Sequence, residues 1–275
     1  MPRPAAGPAG GTQSLEAALR LLIALAARPG PASLSDLARH CDMQPSTVHR
    51  YLTSFQHAGF VEQAGKSGKY DLGHAALELG LSAIARHDFV NRASDRIGDL
   101  AAQTGMSVFL SIWGSAGATV IRWERAEMPA VTSMGLGTTL PLLTTATGRA
   151  FLAWAPPAPL RAARAAELAR ARKLPGLVPD LDPSEAGIEA LIARIRARGI
   201  ATVDGTFIPG LAALAAPILD WQGQAQAVAT MIGTTPDASD PGSAPAQALR
   251  AFCQSQSFAP LTDPAPDPLA QSLKP

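Results

Sequence analysis

Two groups of side chains in this sequence have the types and spacing to do chemistry. The first is Ser46, Thr47, His49, Arg50 and Thr53, with Gln56 and His57 beyond them. On a helix beginning at Pro45 they occupy the face left over when Val48, Tyr51, Leu52 and Phe55 turn inward. Each of them donates or accepts hydrogen bonds and none is acidic, so nothing on this face repels phosphate. Short hydroxyls at a helix start bond phosphates beside the helix N-terminus. Arg50, one turn further on, has the length and fork for a guanine edge or a phosphate. Lys66 and Lys69 follow at the tip Ala64-Gly65-Lys66-Ser67-Gly68, between strand patterns at Phe60–Gln63 and Lys69–Leu72. A cationic hairpin tip beside a reading helix reaches phosphates or the minor groove. On this reading the chemistry is recognition of DNA. Without the hairpin, the same face is an ordinary solvated surface on a helix pair.

The second group is Thr144, Thr145 and Thr147, which lead into a helix pattern at Gly148–Trp154. The free N–H groups and positive dipole end of a helix start suit a carboxylate, and the hydroxyls add donors. Thr145 or Thr147 can also simply cap that helix, and both readings stand at this point. Other chemistry is scarce beyond residue 88. All five histidines (40, 49, 57, 74 and 87) precede it, and Cys253 is the only later cysteine. A histidine-based triad or a His/Cys metal site therefore cannot come from that part of the chain. No nucleophile elbow and no phosphate-binding Gly-rich loop is present. Glu124, Asp204 and Asp220 are not paired by any spacing and read as turn or surface residues. Trp113, Trp123 and Trp154 read as core, or as walls of a pocket.

These groups need elements to position them. Helix patterns run over about 14–27, with Leu15, Leu19, Leu22, Ile23 and Ala26 at helical spacing, and from Ser33 to Cys41. Ser33 caps the second of these, and Asp36 completes a capping box. Asp42-Met43-Gln44-Pro45 forms the turn into the reading helix, which Gly59 ends. Phe60 and Tyr70 are expected to pack the hairpin back on the helices. A connecting helix follows over 74–87, with Leu77, Leu81 and Ile84 on one stripe. Residues 88–258 alternate helix and strand patterns, including a helix from Pro183 to Gly199 and paired strands at 210–220 and 224–233. The arginines at 161, 164, 170, 172, 194, 196 and 198 read as solvated faces. Residues 1–10 and the Pro-rich tail 259–275 lack periodicity and read as disordered.

Composition limits the partners. Hydrophobic residues make up 47% of the 275 and charged ones 16%, which is the balance of a globular chain. The net charge of +1 gives no bulk attraction to nucleic acid, so any DNA contact depends on placement. Two cysteines cannot build a disulfide framework and fit a reducing compartment. Arg3 and the apolar run 21–27 imitate a short signal peptide, but Glu16 and Arg20 interrupt it with helical spacing. No apolar stretch is long enough to span a membrane, so the protein is expected to be cytoplasmic.

Several motifs in order resemble the IclR-type (isocitrate lyase regulator) family of bacterial transcriptional regulators. They are Ser33-Leu34-Ser35-Asp36-Leu37-Ala38, Pro45-Ser46-Thr47-Val48-His49-Arg50-Tyr51-Leu52 and Gly68-Lys69-Tyr70-Asp71-Leu72-Gly73. Further on come Leu100–Gly105, Gly137–Leu142, Thr147–Ala153 and Pro209–Pro217. The resemblance implies an α+β protein: a winged helix-turn-helix over 11–73, a connecting and dimerising helix over 74–87, and a GAF-like α+β effector-binding domain over 88–258. It implies double-stranded operator DNA and a small-molecule effector as partners, a homodimer or homotetramer, and no cofactor. Carried over residue by residue, the effector pocket is lined by Ala146, Thr147, Asp204, Leu211, Ala213, Thr230 and Ile232. Members that bind small oxo-acids often have small polar residues where Ala213 and Ile232 stand, so an aromatic or other more apolar organic acid is expected. The alternatives are an enzyme acting on a small organic acid with an accessory helix-turn-helix, and a winged helix that binds protein.

Overall fold

Nine of the last ten positions of the first helix are apolar, so its own periodicity does not choose the face that turns inward there. Helix α1 (Gln13–Ala26) buries Leu21, Ala24 and Leu25, whereas Leu15 and Leu19 are exposed, contrary to the spacing argument. Its neighbours make the choice. Helices α2 (Leu34–His40) and α3 (Pro45–His57) contribute Leu37, Ala38, Val48 and Leu52 to one small core with Leu21 and Leu25. The computed structural model describes residues 13–63, 65–127, 134–174, 176–205 and 208–258, with only the backbone at Lys66. Residues 1–10 and 259–275, expected to be disordered, lie outside the described residues.

The turn between α2 and α3 is built by hydrogen bonds. Asp42 adopts a left-handed φ of 51°, and the Met43 and Asp42 N–H groups bond back to Ala38 and Arg39 carbonyls, which closes α2 as a Schellman motif. Asp is among the few non-glycine residues that tolerate this conformation. At the other end, Ser33 Oγ accepts from the Asp36 N–H at 3.1 Å, but the Asp36 carboxylate accepts from Ser33 Oγ and Arg39 rather than from the Ser33 backbone. The box is therefore one-sided.

Strands β1 (Val61–Gln63) and β2 (Tyr70–Leu72) form the hairpin. Val61 and Tyr70 enter the core, while Phe60 is only half-buried and is not part of it. Phe60 remains a junction residue: its N–H bonds to the Phe55 carbonyl and its own carbonyl accepts from Gly73. Tyr70 also pairs with Ala32 through two bonds of 2.8 and 2.9 Å, so the loop before α2 supplies a third strand that the sequence does not announce. Helix α4 (His74–Ala85) has no buried residue, and Leu77, Leu79 and Leu81 are each more than half exposed.

The chain divides into two compact units, with the second beginning at Asp88. That unit is a six-stranded antiparallel sheet in the order β5-β4-β3-β8-β7-β6. The strands are β3 (Ser107–Gly114), β4 (Gly117–Glu124), β5 (Thr139–Leu140), β6 (Ala201–Asp204), β7 (Ala212–Leu219) and β8 (Ala225–Gly233). Side chains alternate between faces, so Val108 and Leu110 join one core and Phe109 the other. Helices α5 (Phe89–Thr104) and α9 (Ala244–Gln256) cover the first face. Helices α6 (Ala146–Trp154), α7 (Pro157–Lys173) and α8 (Glu185–Arg198) cover the second. With helices on both faces, the central strands are buried on both sides.

Several arginines expected to be solvated are tied down. Arg196 donates to the Ala153 carbonyl at 2.6 Å, Arg172 to the Pro183 carbonyl, and Arg164 pairs with Glu185 and Glu189. Helical spacing places these side chains outward on their own helix, but the neighbouring helix stands in their way.

Candidate DNA interface and ligand cavity

On α3, Ser46, His49 and Arg50 are exposed, while Thr47 and Thr53 are half-buried. Arg50 has its guanidinium carbon 5.6 Å from the centre of the Tyr51 ring, a cation–π contact that steadies a long side chain without using its donors. The Thr53 hydroxyl donates to the His49 carbonyl at 2.9 Å, which leaves its oxygen only as an acceptor. Pro45 occupies the first turn and no side chain caps α3. The Ser46 N–H therefore has no intrahelical partner and suits a phosphate. Lys69 is exposed on the hairpin, and the Lys66 side chain lies outside what is described.

In the second unit the start of α6 faces the sheet across a small cavity of about 30 Å³, open at one side. Its lining brings together Ala146, Thr147, Leu211, Ala213, Thr230 and Ile232, all of them expected from the resemblance. It adds Phe109, Met134, Leu140, Thr144, Thr145, Val203 and Ile208. Asp204 is not in the lining and is exposed at the end of β6. Strand alternation explains the swap: Val203 points into the cavity, so its neighbour points away. The aromatic Phe109 could have been found by counting along its strand in steps of two. Met134, Val203 and Ile208 carry no local signal.

The polar geometry is concentrated at one end. Thr147 Oγ1 and Thr230 Oγ1 lie 2.8 Å apart, buried, on a helix and a strand 83 residues apart in sequence. Thr145 is the cap of α6: its hydroxyl accepts from the Gly148 N–H at 3.0 Å and donates to the Pro141 carbonyl at 2.6 Å. Capping thus uses Thr145 fully, while Ala146 and Thr147, two residues of the lining, belong to the helix's first turn, whose N–H groups have no intrahelical partner. The opposite wall is apolar, with Phe109 stacked on Trp123 at 5.0 Å. No lining residue among those described is titratable.

Behind this end, Gly148 allows the helix to touch the preceding segment. A Cβ there would lie 2.1 Å from the Pro141 oxygen and 2.5 Å from the Leu142 Cα. Arg149, almost wholly buried, donates through Nε to the Leu143 carbonyl at 2.7 Å and through both terminal nitrogens to Asp180 at 2.6 and 2.7 Å. Burial pushes the Asp180 carboxyl up, but the hydrogen bonds and charge of Arg149 outweigh this and hold it below its ordinary value.

Two of the remaining acidic residues and Cys253 have structural surroundings. Asp220 accepts from the Gln222 and Gln224 N–H groups and from the Gln226 side chain, so it organises the β7–β8 turn. Glu124 pairs with Arg122 at 2.8 Å. Cys253 is buried, and burial pushes its thiol up to about 12, which makes it an inert thiol. Among the described residues no cluster could hold a metal ion, and no helix is long and apolar enough to cross a membrane.

Comparison with known proteins gives the same two parts. Residues 14–65 match the IclR helix-turn-helix domain, and residues 81–235 match the C-terminal domain of bacterial IclR transcriptional regulators. The glycerol operon regulatory protein of Streptomyces coelicolor is 33% identical over 209 residues, covering 76% of this chain and 79% of that one. The HTH-type transcriptional regulator BhcR of Paracoccus denitrificans is 31% identical over 231 residues, covering 84% and 81%. The crystal structure of Pseudomonas aeruginosa HmgR superposes with a TM-score of 0.77 at 32% identity, covering 92% of this chain and all of that one.

Proposed function

This chain belongs to the IclR family of bacterial transcriptional regulators, a family of DNA-binding proteins rather than enzymes, and on that premise we propose how it reads DNA and what it senses. Ser46, Thr47, His49, Arg50 and Thr53 meet the major groove, with Arg50 the main base reader, while Lys66 and Lys69 meet the backbone. The domains are the winged helix over 11–73, the connecting helix over 74–87 and the effector-binding domain over 88–258. The effector is a small organic acid with an aromatic or otherwise apolar body.

One observation carries the effector reading. An uncharged cavity, open at one side, has the threonines at the start of α6 and the Thr147–Thr230 hydroxyl pair at one end, and chiefly apolar side chains elsewhere. An anion in such a place needs the N–H donors of that helix start to replace water, and the body beside it needs only to be apolar. The same lining argues against turnover, because no residue in it can take up a proton at neutral pH. Asp204 has no part in this site.

A reading helix covers few base pairs, so useful affinity needs a second copy of the chain on an adjacent half-site. The exposed leucines of α4 support that helix as the contact. Ligand would then act by favouring one arrangement of the paired reading heads over another.

The test is a thermal-shift screen of aliphatic and aromatic monocarboxylates on the full chain, followed by operator titration with and without each hit. An acid that binds only the folded form raises the melting temperature. The expected result is a hit among the aromatic acids that changes operator affinity. If hits leave operator affinity unaltered, the sensing role is wrong; if only cationic or sugar ligands bind, the acid assignment is wrong.

A further inference from the structure

Glu167 stands outside the ligand cavity, on α7, and nothing in its local sequence marks it. Its half-buried carboxylate nevertheless accepts two backbone N–H groups, from Leu142 at 2.6 Å and from Leu143 at 2.8 Å. The segment 141–145 is therefore held from several directions. Glu167 takes its N–H groups, Arg149 takes the Leu143 carbonyl, and Thr145 closes back on Pro141. Gly148 lets the helix lie directly against it. This segment leads straight into Thr144, Thr145, Ala146 and Thr147, which line the cavity.

We propose that Glu167 is a positioning residue for ligand recognition: by holding the Leu142 and Leu143 N–H groups it sets where the α6 N–H groups stand. The inference rests on the acid-binding reading above. A carboxylate accepting two N–H groups forms charge-assisted hydrogen bonds, which are stronger and more directional than neutral ones. Displacing a donor by even part of an ångström weakens an anion site, whereas the apolar wall tolerates it. Glu167 thus acts on the acid end of a ligand and not on its body.

Charge makes the proposal testable by sign. A negative group near an anion site opposes the anion, so removing it should tighten binding if Glu167 acted through its charge alone. Positioning predicts the opposite. The probes are benzoate and its neutral isostere benzamide, titrated calorimetrically into the full-length chain, wild type, Glu167→Gln and Glu167→Asp. Gln keeps one acceptor oxygen but puts an amide donor against the second N–H; Asp keeps the charge but falls short by a methylene.

The expected result is roughly tenfold weaker benzoate binding in both variants, the loss of about one charge-assisted hydrogen bond, with benzamide changed less than threefold. A general loss of structure would lower both probes alike and overturn the proposal. So would tighter benzoate binding in Glu167→Gln with Glu167→Asp unchanged, which is the charge-only outcome. Amide exchange without ligand gives an independent decision. Protection should fall at Leu142, Leu143 and the first turn of α6 while Leu214, Ala216, Ala229 and Met231 in the sheet keep theirs; unchanged exchange at Leu142 and Leu143 overturns the proposal whatever the probes do. A wild type that binds neither probe yet passes the exchange test counts against benzoate-like acids as ligands, and the role of Glu167 in recognition falls with that reading.

Discussion

The two units solve the recognition problem in opposite ways. In the first, the candidate readers stand on the outside of one helix, and a single element supplies Ser46, Thr47, His49, Arg50 and Thr53 within eight positions. In the second, the candidate site is concave, and one of its polar contacts joins Thr147 to Thr230 across 83 residues of sequence. An exposed reading face needs only a rigid helix behind it. A buried ligand site needs every wall to hold its place, and so depends on residues that never touch the ligand. The two kinds of site should therefore fail differently under mutation.

The largest contrast is expected at Gly148. Gly148→Val puts a side chain where the Pro141 and Leu142 backbone already lies, and backbone cannot step aside as a side-chain end can. A loss of about 3 kcal/mol or more is expected in chemical denaturation of the second unit. The core around Leu37 and Leu52 should unfold at its original denaturant concentration. A single shifted transition for both would show that the units are not independent.

Next is Arg50→Ala, the corresponding test of an exposed site. It should reduce operator affinity by about 1–3 kcal/mol in fluorescence anisotropy and leave the melting temperature within a degree or two. Unaltered affinity would place Arg50 outside the groove and favour a protein-binding winged helix. Thr230→Val is smaller and falls on stability instead. It leaves the buried Thr147 hydroxyl without its partner, which costs about 1 kcal/mol, read as a shift in the denaturation midpoint.

The last and smallest effect depends on pH. Asp180 is held below its ordinary value by Arg149, so its folded-state pKa lies beneath its unfolded one, near 3.9. The stability it contributes is present above the unfolded value and is lost as pH falls through the folded one. Wild type should melt above Asp180→Asn at pH 7, and the gap should close as pH drops below about 4. A gap that persists in acid would mean that Asp180 acts by packing rather than by charge.

Much of the first unit was legible from local pattern. The stripe Val48, Leu52 and Phe55, the proline at the start of α3 and the glycine at its end are short-range signals, and short-range physics answers them. The structure departs from that pattern where local rules are silent. The apolar α1 offered more than one face, and Phe60 gave way to Val61 because backbone bonds to Phe55 and Gly73 hold it at the junction. In the cavity, Phe109 was within reach of the alternation rule, and Thr145 was already a candidate cap. Val203 lines the cavity and Asp204 beside it does not, since one residue along a strand is the difference between one face and the other.

Sequence alone determined the family, through short motifs in order, and the elements and outward donors of the first unit, which are written in spacing of four residues or fewer. Only the tertiary structure decided that Thr147 meets Thr230, that Glu167 and Arg149 hold the segment before α6, and that Gly148 touches it. Those contacts join residues 6 to 83 positions apart. Their hydrogen-bonding groups are common ones, found in every helix and loop. What makes them specific is burial, where an unpaired group is costly and each donor must find its acceptor.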